Sequence, residues 1–216
     1  MAASARARLV VVSWTVAIML AGCGGVSIQV DGGKVAGVTS PGDPGVVVYK
    51  GIPFAAPPVG DLRWRPPQPV EPWEGVLQAE SYGGVCPQLP YAEDSFGARL
   101  RQYSPSEMSE DCLYLNVWAP VEPPADKLPV MVWIHGGGLT KGSGTRLGYD
   151  GTSLVQRGVV VVTINYRLAA FGYLAHPGLS AESEHGSSGN YGVLDQIAAL
   201  EWVRRNIASF GGDPDR

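Results

Sequence analysis

A histidine followed by three glycines, at residues 135–138, has the residue types best suited to chemistry in this chain. It follows directly on the apolar residues 130–134, which predict a buried strand. Glycine has no side chain to block a close approach, so a turn here can point several backbone N–H groups at one negatively charged atom. The alternative is a turn that only reverses the chain. A nucleotide-binding loop is disfavoured, because neither G-x-G-x-x-G nor G-x-x-x-x-G-K-[ST] occurs around residues 136–144.

Predicted strands and helices surround this loop. The runs at residues 130–134 and 159–164 are rich in β-branched side chains, which is typical of strands covered on both faces in a largely parallel sheet. Residues 46–49 predict another strand, and residues 113–118 alternate between two faces with a period of two. The clearest helix is predicted after Gly192, where apolar residues recur at steps of three and four: Val193, Ile197, Leu200, Val203, Ile207 and Phe210. Strands that alternate with helices indicate an α/β layered domain.

The composition indicates a folded, mildly acidic protein. Of the 216 residues, 45% are apolar and 17% charged, which excludes disorder as the main interpretation. The net charge is −4 and the body of the chain has no Lys/Arg cluster, so nothing would hold a phosphate backbone and no nucleic-acid partner is expected. Prolines are frequent between residues 51 and 73, and this segment is predicted to cross the surface as an extended loop.

The N-terminus carries the pattern of an export signal. Two arginines precede an apolar run at residues 9–20, which is shorter than the roughly 20 residues of a membrane span. The sequence Leu-Ala-Gly-Cys-Gly-Gly follows and resembles the lipobox of bacterial lipoproteins, in which the cysteine is acylated. We predict a signal peptide at residues 1–22, a lipidated Cys23, and a tether with an N-terminal hairpin at residues 23–45. The protein would be exported and anchored at a membrane surface of the cell envelope; an ordinary signal peptide and a secreted protein are the alternative.

The three cysteines of an exported protein leave one unpaired. Assigning Cys23 to a lipid leaves Cys86 and Cys112, which can form a disulfide in an oxidising compartment. A metal or redox role is disfavoured, because neither cysteine has a C-x-x-C partner or a histidine at ligand spacing.

Several longer motifs resemble those of type B carboxylesterases, the family that includes the cholinesterases. In chain order they are residues 51–60 (GIPFAAPPVG), residues 110–120 (EDCLYLNVWAP), the glycine loop, residues 165–167 (NYR) and residues 194–196 (LDQ). The resemblance runs from about residue 46 to residue 216. It implies the N-terminal part of an α/β-hydrolase fold, with an incomplete, mostly parallel sheet, flanking helices and long loops. It also implies hydrolysis of small carboxylic esters by a Ser, an acidic residue and a His, with no metal or other cofactor.

The resemblance assigns the glycine loop a role in that reaction. Gly137 and Gly138, in the loop that His135 and Gly136 begin, would donate their backbone N–H groups to the oxyanion hole, where negative charge grows on the carbonyl oxygen of the ester. The family usually carries an aromatic residue after the glycines. Leu139 stands at this place and would reshape the acyl pocket.

Other residues receive structural roles from the same resemblance. They are the disulfide Cys86–Cys112 and the two ion pairs Arg63–Glu110 and Arg167–Asp195. The ion pairs would hold loops in place and carry no chemistry.

The nucleophile that the resemblance implies is absent from these 216 residues. The family carries its serine on a G-x-S-x-G turn, and no such pattern occurs here. His176 and His185 lie in a Gly/Ser-rich loop, and a base without an activated nucleophile does nothing. Residues 46–216 are therefore interpreted as a partial domain, truncated before the nucleophile elbow and inactive alone. The alternatives are a noncatalytic, lipid-anchored binding or adhesion module of the same fold, and a nonfunctional truncated product.

Overall fold

The computed structural model describes residues 27–89 and 107–216. The predicted signal peptide, the predicted lipidation site Cys23 and the first part of the tether lie outside the described residues. Within the described ranges, no helix is both long and apolar enough to cross a bilayer.

The described residues form strands β1 to β8, four α-helices and three short 3₁₀ turns. The strands are Ser27–Val30, Gly33–Ala36, Val38–Ser40, Asp43–Pro53, Val76–Gln78, Tyr114–Pro120, Val130–Ile134 and Val160–Ile164. Helices α1 to α4 are Thr152–Val155, Ala169–Tyr173, Pro177–Glu182 and Tyr191–Asn206. The 3₁₀ turns are Gly60–Leu62, Leu147–Tyr149 and Ile207–Phe210.

A small sheet at the N-terminus has the strand order β1-β2-β5. Strands β1 and β2 form the predicted antiparallel hairpin, and β5 adds to β2 in parallel. The Trp73 indole packs on the hairpin turn and donates from Nε1 to the carbonyl of Lys34 over 2.9 Å. Strand β3 and the beginning of β4 already belong to the larger sheet.

The larger sheet has the strand order β3-β4-β6-β8-β7. The pairs β3–β4, β4–β6 and β6–β8 are antiparallel, and β7 and β8 run parallel. The described part of the sheet is therefore mixed, and the expected parallel pairing occurs in it between β7 and β8. The connection between β7 and β8 explains why these two strands can be parallel. A parallel pair needs a crossover, and in this sheet the chain between β7 and β8, which contains α1, supplies one.

The core lies on both faces of this sheet. Strand β6 alternates as predicted: Leu115 and Val117 belong to the main apolar cluster, and Trp118 belongs to a second cluster on the other face. The second cluster includes Val155 of α1 and Val161 of β8. Both faces of the central strands are therefore covered, which explains the continuous apolar run of β8.

Strand β7 differs from the prediction that it is covered on both faces. Met131, Trp133 and Ile134 are 44%, 42% and 39% exposed, whereas every residue of β8 is buried. The cause is position in the sheet, since β8 lies between β6 and β7, and β7 is the last strand in the order. The described sheet thus presents an apolar strand at its edge.

Helix α4 forms where the periodicity predicts it, but the predicted apolar stripe faces partly outward. Val193, Ile197 and Leu200 are exposed, while Ala199 and Trp202 lie in the core. The helix is apolar on more than one side, so its periodicity could not identify which side packs against the core of the described residues. The remaining stripe residues Val203, Ile207 and Phe210 are buried as predicted.

The last residues of the chain run beside the beginning of β7. The N–H of Leu128 donates to the carbonyl of Gly211 over 2.9 Å, and the N–H of Val130 donates to that of Arg216 over 2.7 Å. Leu128 and Gly212 form a parallel bridge. Because alternate residues of a strand point their N–H groups to the same side, these bonds lie on the side of β7 that faces away from β8.

Candidate functional site

The glycine loop leaves the carboxyl end of β7, where β7 and β8 finish side by side. Gly137 has φ 137°, Gly138 has φ 62° and Leu139 has φ 61°. A Cβ atom on Gly137 would collide with the backbone carbonyl of Lys141. Glycine is therefore required at position 137 by both conformation and space.

A tight turn holds this loop. The carbonyl of Gly137 accepts from the N–H of Thr140 over 3.3 Å and from the N–H of Lys141 over 3.2 Å. The Thr140 hydroxyl donates to the same carbonyl over 3.2 Å. Leu139, next along the loop, accepts at its carbonyl from the N–H of Ala169, the first residue of α2, over 2.8 Å. These contacts fix the glycines at two points along the chain.

The backbone N–H groups of Gly137 and Gly138 are available to a ligand. Both residues are exposed, and across residues 27–89 and 107–216 no protein acceptor pairs with these two N–H groups. Two adjacent unpaired donors in a fixed turn can bind one anionic oxygen. This is the chemistry that the geometry of the loop permits.

His135 supports the loop from inside. Its side chain is buried and stacks on the Tyr166 ring at 4.4 Å between centroids, and the Tyr166 hydroxyl donates to the His135 carbonyl over 2.8 Å. Burial lowers the pKa of His135 to about 4, and the hydrogen bond with the Gly136 carbonyl opposes this only in part. The imidazole is therefore neutral at pH 7 and packs as a structural side chain.

Asn165 fixes the segment that follows the glycine loop. Its Oδ1 accepts from the Ser143 hydroxyl over 3.1 Å and from the N–H of Gly144 over 2.8 Å. Its Nδ2 donates to the carbonyl of Gly84 over 2.9 Å. These contacts of Asn165 were not predicted, although a polar residue directly after a buried apolar strand is a signal for such a role.

A disulfide and an ion pair join earlier parts of the chain to the segment just before β6. Cys86 and Cys112 are bonded, with their Cα atoms 5.0 Å apart. Both nitrogen–oxygen contacts of the Arg63–Glu110 pair are 2.6 Å long. Hydrogen bonding to Glu110 raises the pKa of Arg63 above its ordinary value. The structure thus pairs Cys86 with Cys112 and Arg63 with Glu110, the partners that the resemblance implies.

The second ion pair is buried. Arg167 donates to Asp195 from Nε over 2.8 Å, from Nη2 over 2.7 Å and from its backbone N–H over 3.0 Å. The guanidinium also lies over the Tyr191 ring, 5.5 Å from its centroid. Burial raises the pKa of Asp195, and the Arg167 guanidinium offsets part of that effect. The pair joins the end of β8 to α4.

The other two histidines are exposed. His176 precedes α3, and its Nδ1 accepts from the N–H of Gly178 over 3.1 Å, which caps the helix. His185 lies in the connection between α3 and α4. The structure therefore gives His176 a capping role.

An open apolar depression of about 410 Å³ adjoins the glycine loop. Its lining residues include Leu139, Ala169 and Tyr173. A larger cavity of about 620 Å³ lies elsewhere, between the loop around Trp64 and the start of α4. Of these two cavities, the first is the one whose lining includes residues directly after the glycines, Leu139 and Thr140.

Comparison with known proteins gives consistent results. The family model described as "Carboxylesterase family" matches residues 25–216. The chain is 53% identical over 186 residues to the fumonisin B1 esterase of Sphingopyxis macrogoltabida, covering 85% of this chain and 32% of the relative. It is 51% identical over 187 residues to the para-nitrobenzyl esterase of Bacillus subtilis (strain 168), covering 85% and 35%. It is 48% identical over 186 residues to carboxylesterase 1E of Mus musculus, covering 84% and 31%.

Solved structures give the same picture. A PNB esterase superposes with a TM-score of 0.75 at 47% identity, covering 87% of this chain and 36% of that protein. A Geobacillus stearothermophilus carboxylesterase superposes with a TM-score of 0.73 at 44% identity, covering 88% and 36%. The architecture is thus that of part of an α/β-hydrolase, and the chain spans about a third of the length of the relatives that it matches.

Proposed function

The chain belongs to the carboxylesterase family, and we propose that it supplies the anion-binding part of an enzyme that hydrolyses carboxylic esters by serine acyl-enzyme chemistry. One observation carries the proposal. Gly137 and Gly138 present unpaired backbone N–H groups, in a turn fixed by hydrogen bonds, beside an open apolar depression.

In this proposal the two glycines act when a nucleophile attacks the ester carbonyl. The carbonyl oxygen then becomes an anion, and the N–H groups of Gly137 and Gly138 donate to it. Each such donor lowers the barrier by about 3 kcal/mol, because it is already in place before the charge develops. Leu139 and Ala169 would contact the apolar part of the ester, since both line the neighbouring depression.

The attacking serine and its acid and base lie outside these 216 residues in this proposal. No G-x-S-x-G pattern occurs in the sequence, and His135 is buried within the loop that it supports. Residues 211–216 run beside the beginning of β7, on the side that faces away from β8, and the rest of that side offers a place for a further parallel strand. We therefore expect the 216-residue chain alone to be inactive, and the complete site to need the remaining two-thirds of the length seen in the relatives.

A chimera tests this function. Residues 27–216 would replace the matching N-terminal third of the Bacillus subtilis para-nitrobenzyl esterase, which is 51% identical over 187 residues. We expect the chimera to hydrolyse a para-nitrobenzyl ester, and the 216-residue chain and the Bacillus remainder each to be inactive alone. The unmodified Bacillus enzyme is the positive control. A chimera that folds, as judged by circular dichroism, and hydrolyses no ester would contradict the proposal and would favour a noncatalytic binding module or a nonfunctional product.

Membrane anchoring is a separate part of the proposal. Export through the signal at residues 1–22 and acylation of Cys23 would place the protein at a membrane surface of the cell envelope. Cys23→Ser should release the protein into the soluble fraction after export. Mass spectrometry of the mature N-terminus gives the direct answer, and an unmodified Cys23 in an exported protein would instead support secretion.

A further inference from the structure

The side chain of Gln88 binds the backbone of the glycine-loop segment from a distant part of the sequence. Its Nε2 donates to the carbonyl of Gly142 over 2.8 Å, and its Oε1 accepts from the N–H of Gly142 over 2.8 Å. The two residues are 54 positions apart in the chain. One amide group thus satisfies both the donor and the acceptor of one residue, as a neighbouring strand would.

Gly142 is in direct contact with the start of the glycine loop. A Cβ atom at position 142 would collide with the His135 ring and would lie 2.5 Å from the carbonyl of Gly136. Lys141 is also in close contact with the loop, because a Cβ atom on Gly137 would collide with the Lys141 carbonyl. A displacement of residues 141–142 would therefore displace the glycines that carry the free N–H groups.

The other end of this connection is rigid. Gln88 lies two residues after Cys86, and its Nε2 is also within 3.1 Å of the Cys86 carbonyl. Cys86 is buried and bonded to Cys112, which immediately precedes the buried Leu113 and strand β6. Gln88 therefore connects the glycine loop to the disulfide and through it to a central strand.

We propose that Gln88 is a positioning residue for the oxyanion donors: its amide holds Gly142, and through Gly142 it holds Gly137 and Gly138 in the anion-binding conformation. This inference rests on the proposed ester hydrolysis for its catalytic consequence. An amide is required, because the contact needs one donor and one acceptor on the same planar group. A carboxylate at this position would accept from the Gly142 N–H and repel the Gly142 carbonyl.

The first experiment measures amide hydrogen exchange in the 216-residue chain. Gln88→Met keeps the approximate length of the side chain and loses both hydrogen bonds to Gly142, together with the contact to the Cys86 carbonyl. We expect exchange at Gly142 to become about tenfold faster, as the loss of the hydrogen bond from its N–H to the Gln88 side chain predicts. Exchange should also be faster at Thr140 and Lys141, which donate to the Gly137 carbonyl. Exchange unchanged at these three amides would overturn the proposal.

Gln78→Met is the matched control. The Gln78 amide, like that of Gln88, lies near the carbonyl two residues before it, at 3.3 Å from the Val76 oxygen. It is exposed and lies in β5, in the small N-terminal sheet. Exchange at Gly142 should be the same in Gln78→Met as in the wild type.

The second experiment measures catalysis in the chimera. Normalised to titrated active sites, Gln88→Met should lower kcat by about tenfold to a hundredfold, as displacement of a catalytic group does, and leave KM within about twofold. Gln88→Glu should be impaired as well, because a carboxylate loses the hydrogen bond to the Gly142 carbonyl and repels that oxygen. A role in packing alone would predict wild-type kcat per active site for Gln88→Met, and that result would overturn the proposal. If the unsubstituted chimera hydrolyses no ester, the proposed function fails, and the exchange experiment alone decides whether Gln88 holds the loop.

Discussion

Gly137 is the residue at which conformation and space together exclude a side chain. Its φ is 137°, and a Cβ atom would collide with the Lys141 carbonyl. Gly137→Ala should therefore lower the free energy of unfolding of the chimera by more than about 2 kcal/mol in urea titrations, because the loop must shift to relieve the contact. Gly136→Ala is the matched control, since a Cβ at position 136 meets no atom within 4 Å, and its effect should be below about 0.5 kcal/mol. Equal losses in the two variants would show that the close contact is unimportant.

His135 predicts a pH dependence of stability. Burial lowers its pKa from 6.5 to about 4, so between these values an unfolded chain binds a proton that the folded protein does not. The free energy of unfolding should therefore fall as the pH is lowered through this window, by up to about 3 kcal/mol. His135→Gln should flatten this part of the profile in urea titrations of the chimera at about pH 7 and about pH 4.5. His185→Gln controls for the removal of an exposed histidine, and identical slopes for wild type and His135→Gln would refute the assignment.

Individual residues were predictable from the sequence where a contiguous motif contained or closely preceded them. The glycine loop and the partners of both ion pairs lie within or just after short motifs that the resemblance covers. The contacts of Gln88, which lies outside these motifs, and of Asn165, which lies within residues 165–167, were not predictable in this way. Each side chain binds backbone atoms far along the chain, 54 positions away for Gly142 and 81 for Gly84. Side-chain contacts with backbone atoms leave no trace in the residue type of the partner.

At the scale of elements, the ion pair between the end of β8 and α4 should be the more critical of the two. Arg167 and Asp195 are buried, so Asp195→Asn leaves a buried guanidinium without its counter-charge and should lower the free energy of unfolding of the chimera by about 3 to 5 kcal/mol. Glu110→Gln is the comparison, because its Arg63 partner is exposed to solvent and exposed pairs contribute little. Urea titrations of both variants check the order, and a greater loss for Glu110→Gln would contradict it.

The positions of strands and helices followed from residue patterns, but the faces that they bury did not. Strands β4, β6, β7 and β8 and helix α4 occur where apolar runs and periodicity predict them. The outward side of α4 and the exposed side of β7 were predicted as buried, because an apolar side chain such as Ile197 or Trp133 does not indicate which element covers it. Only the strand order decides that β7 lies at the edge of the described sheet.

At the scale of the whole molecule, exposed apolar surface on β7 predicts self-association of the 216-residue chain. Met131, Trp133 and Ile134 are all at least 39% exposed on a strand that ends the described sheet. Such edges pair with other chains, and a lysine opposes that pairing. Met131→Lys should shift the chain towards monomer in sedimentation velocity experiments.

Val59→Lys is the control for that experiment. Val59 is 44% exposed, as Met131 is, but it lies in a loop before the first 3₁₀ turn. The added charge is the same in the two variants, so an equal effect would mean that net charge, and not the strand edge, governs association.

The partners of the glycine loop have a consequence for the order of assembly. The contacts that shape it in the described residues come from Gln88, Thr140, Lys141, Tyr166 and Ala169. All of them have left the ribosome once residue 169 has emerged. Since chains fold from the N-terminus during synthesis, the loop and these contacts can form before the residues that follow position 169 have left the ribosome. In the proposed enzyme, the N–H groups of Gly137 and Gly138 would then be in place before the attacking serine leaves the ribosome.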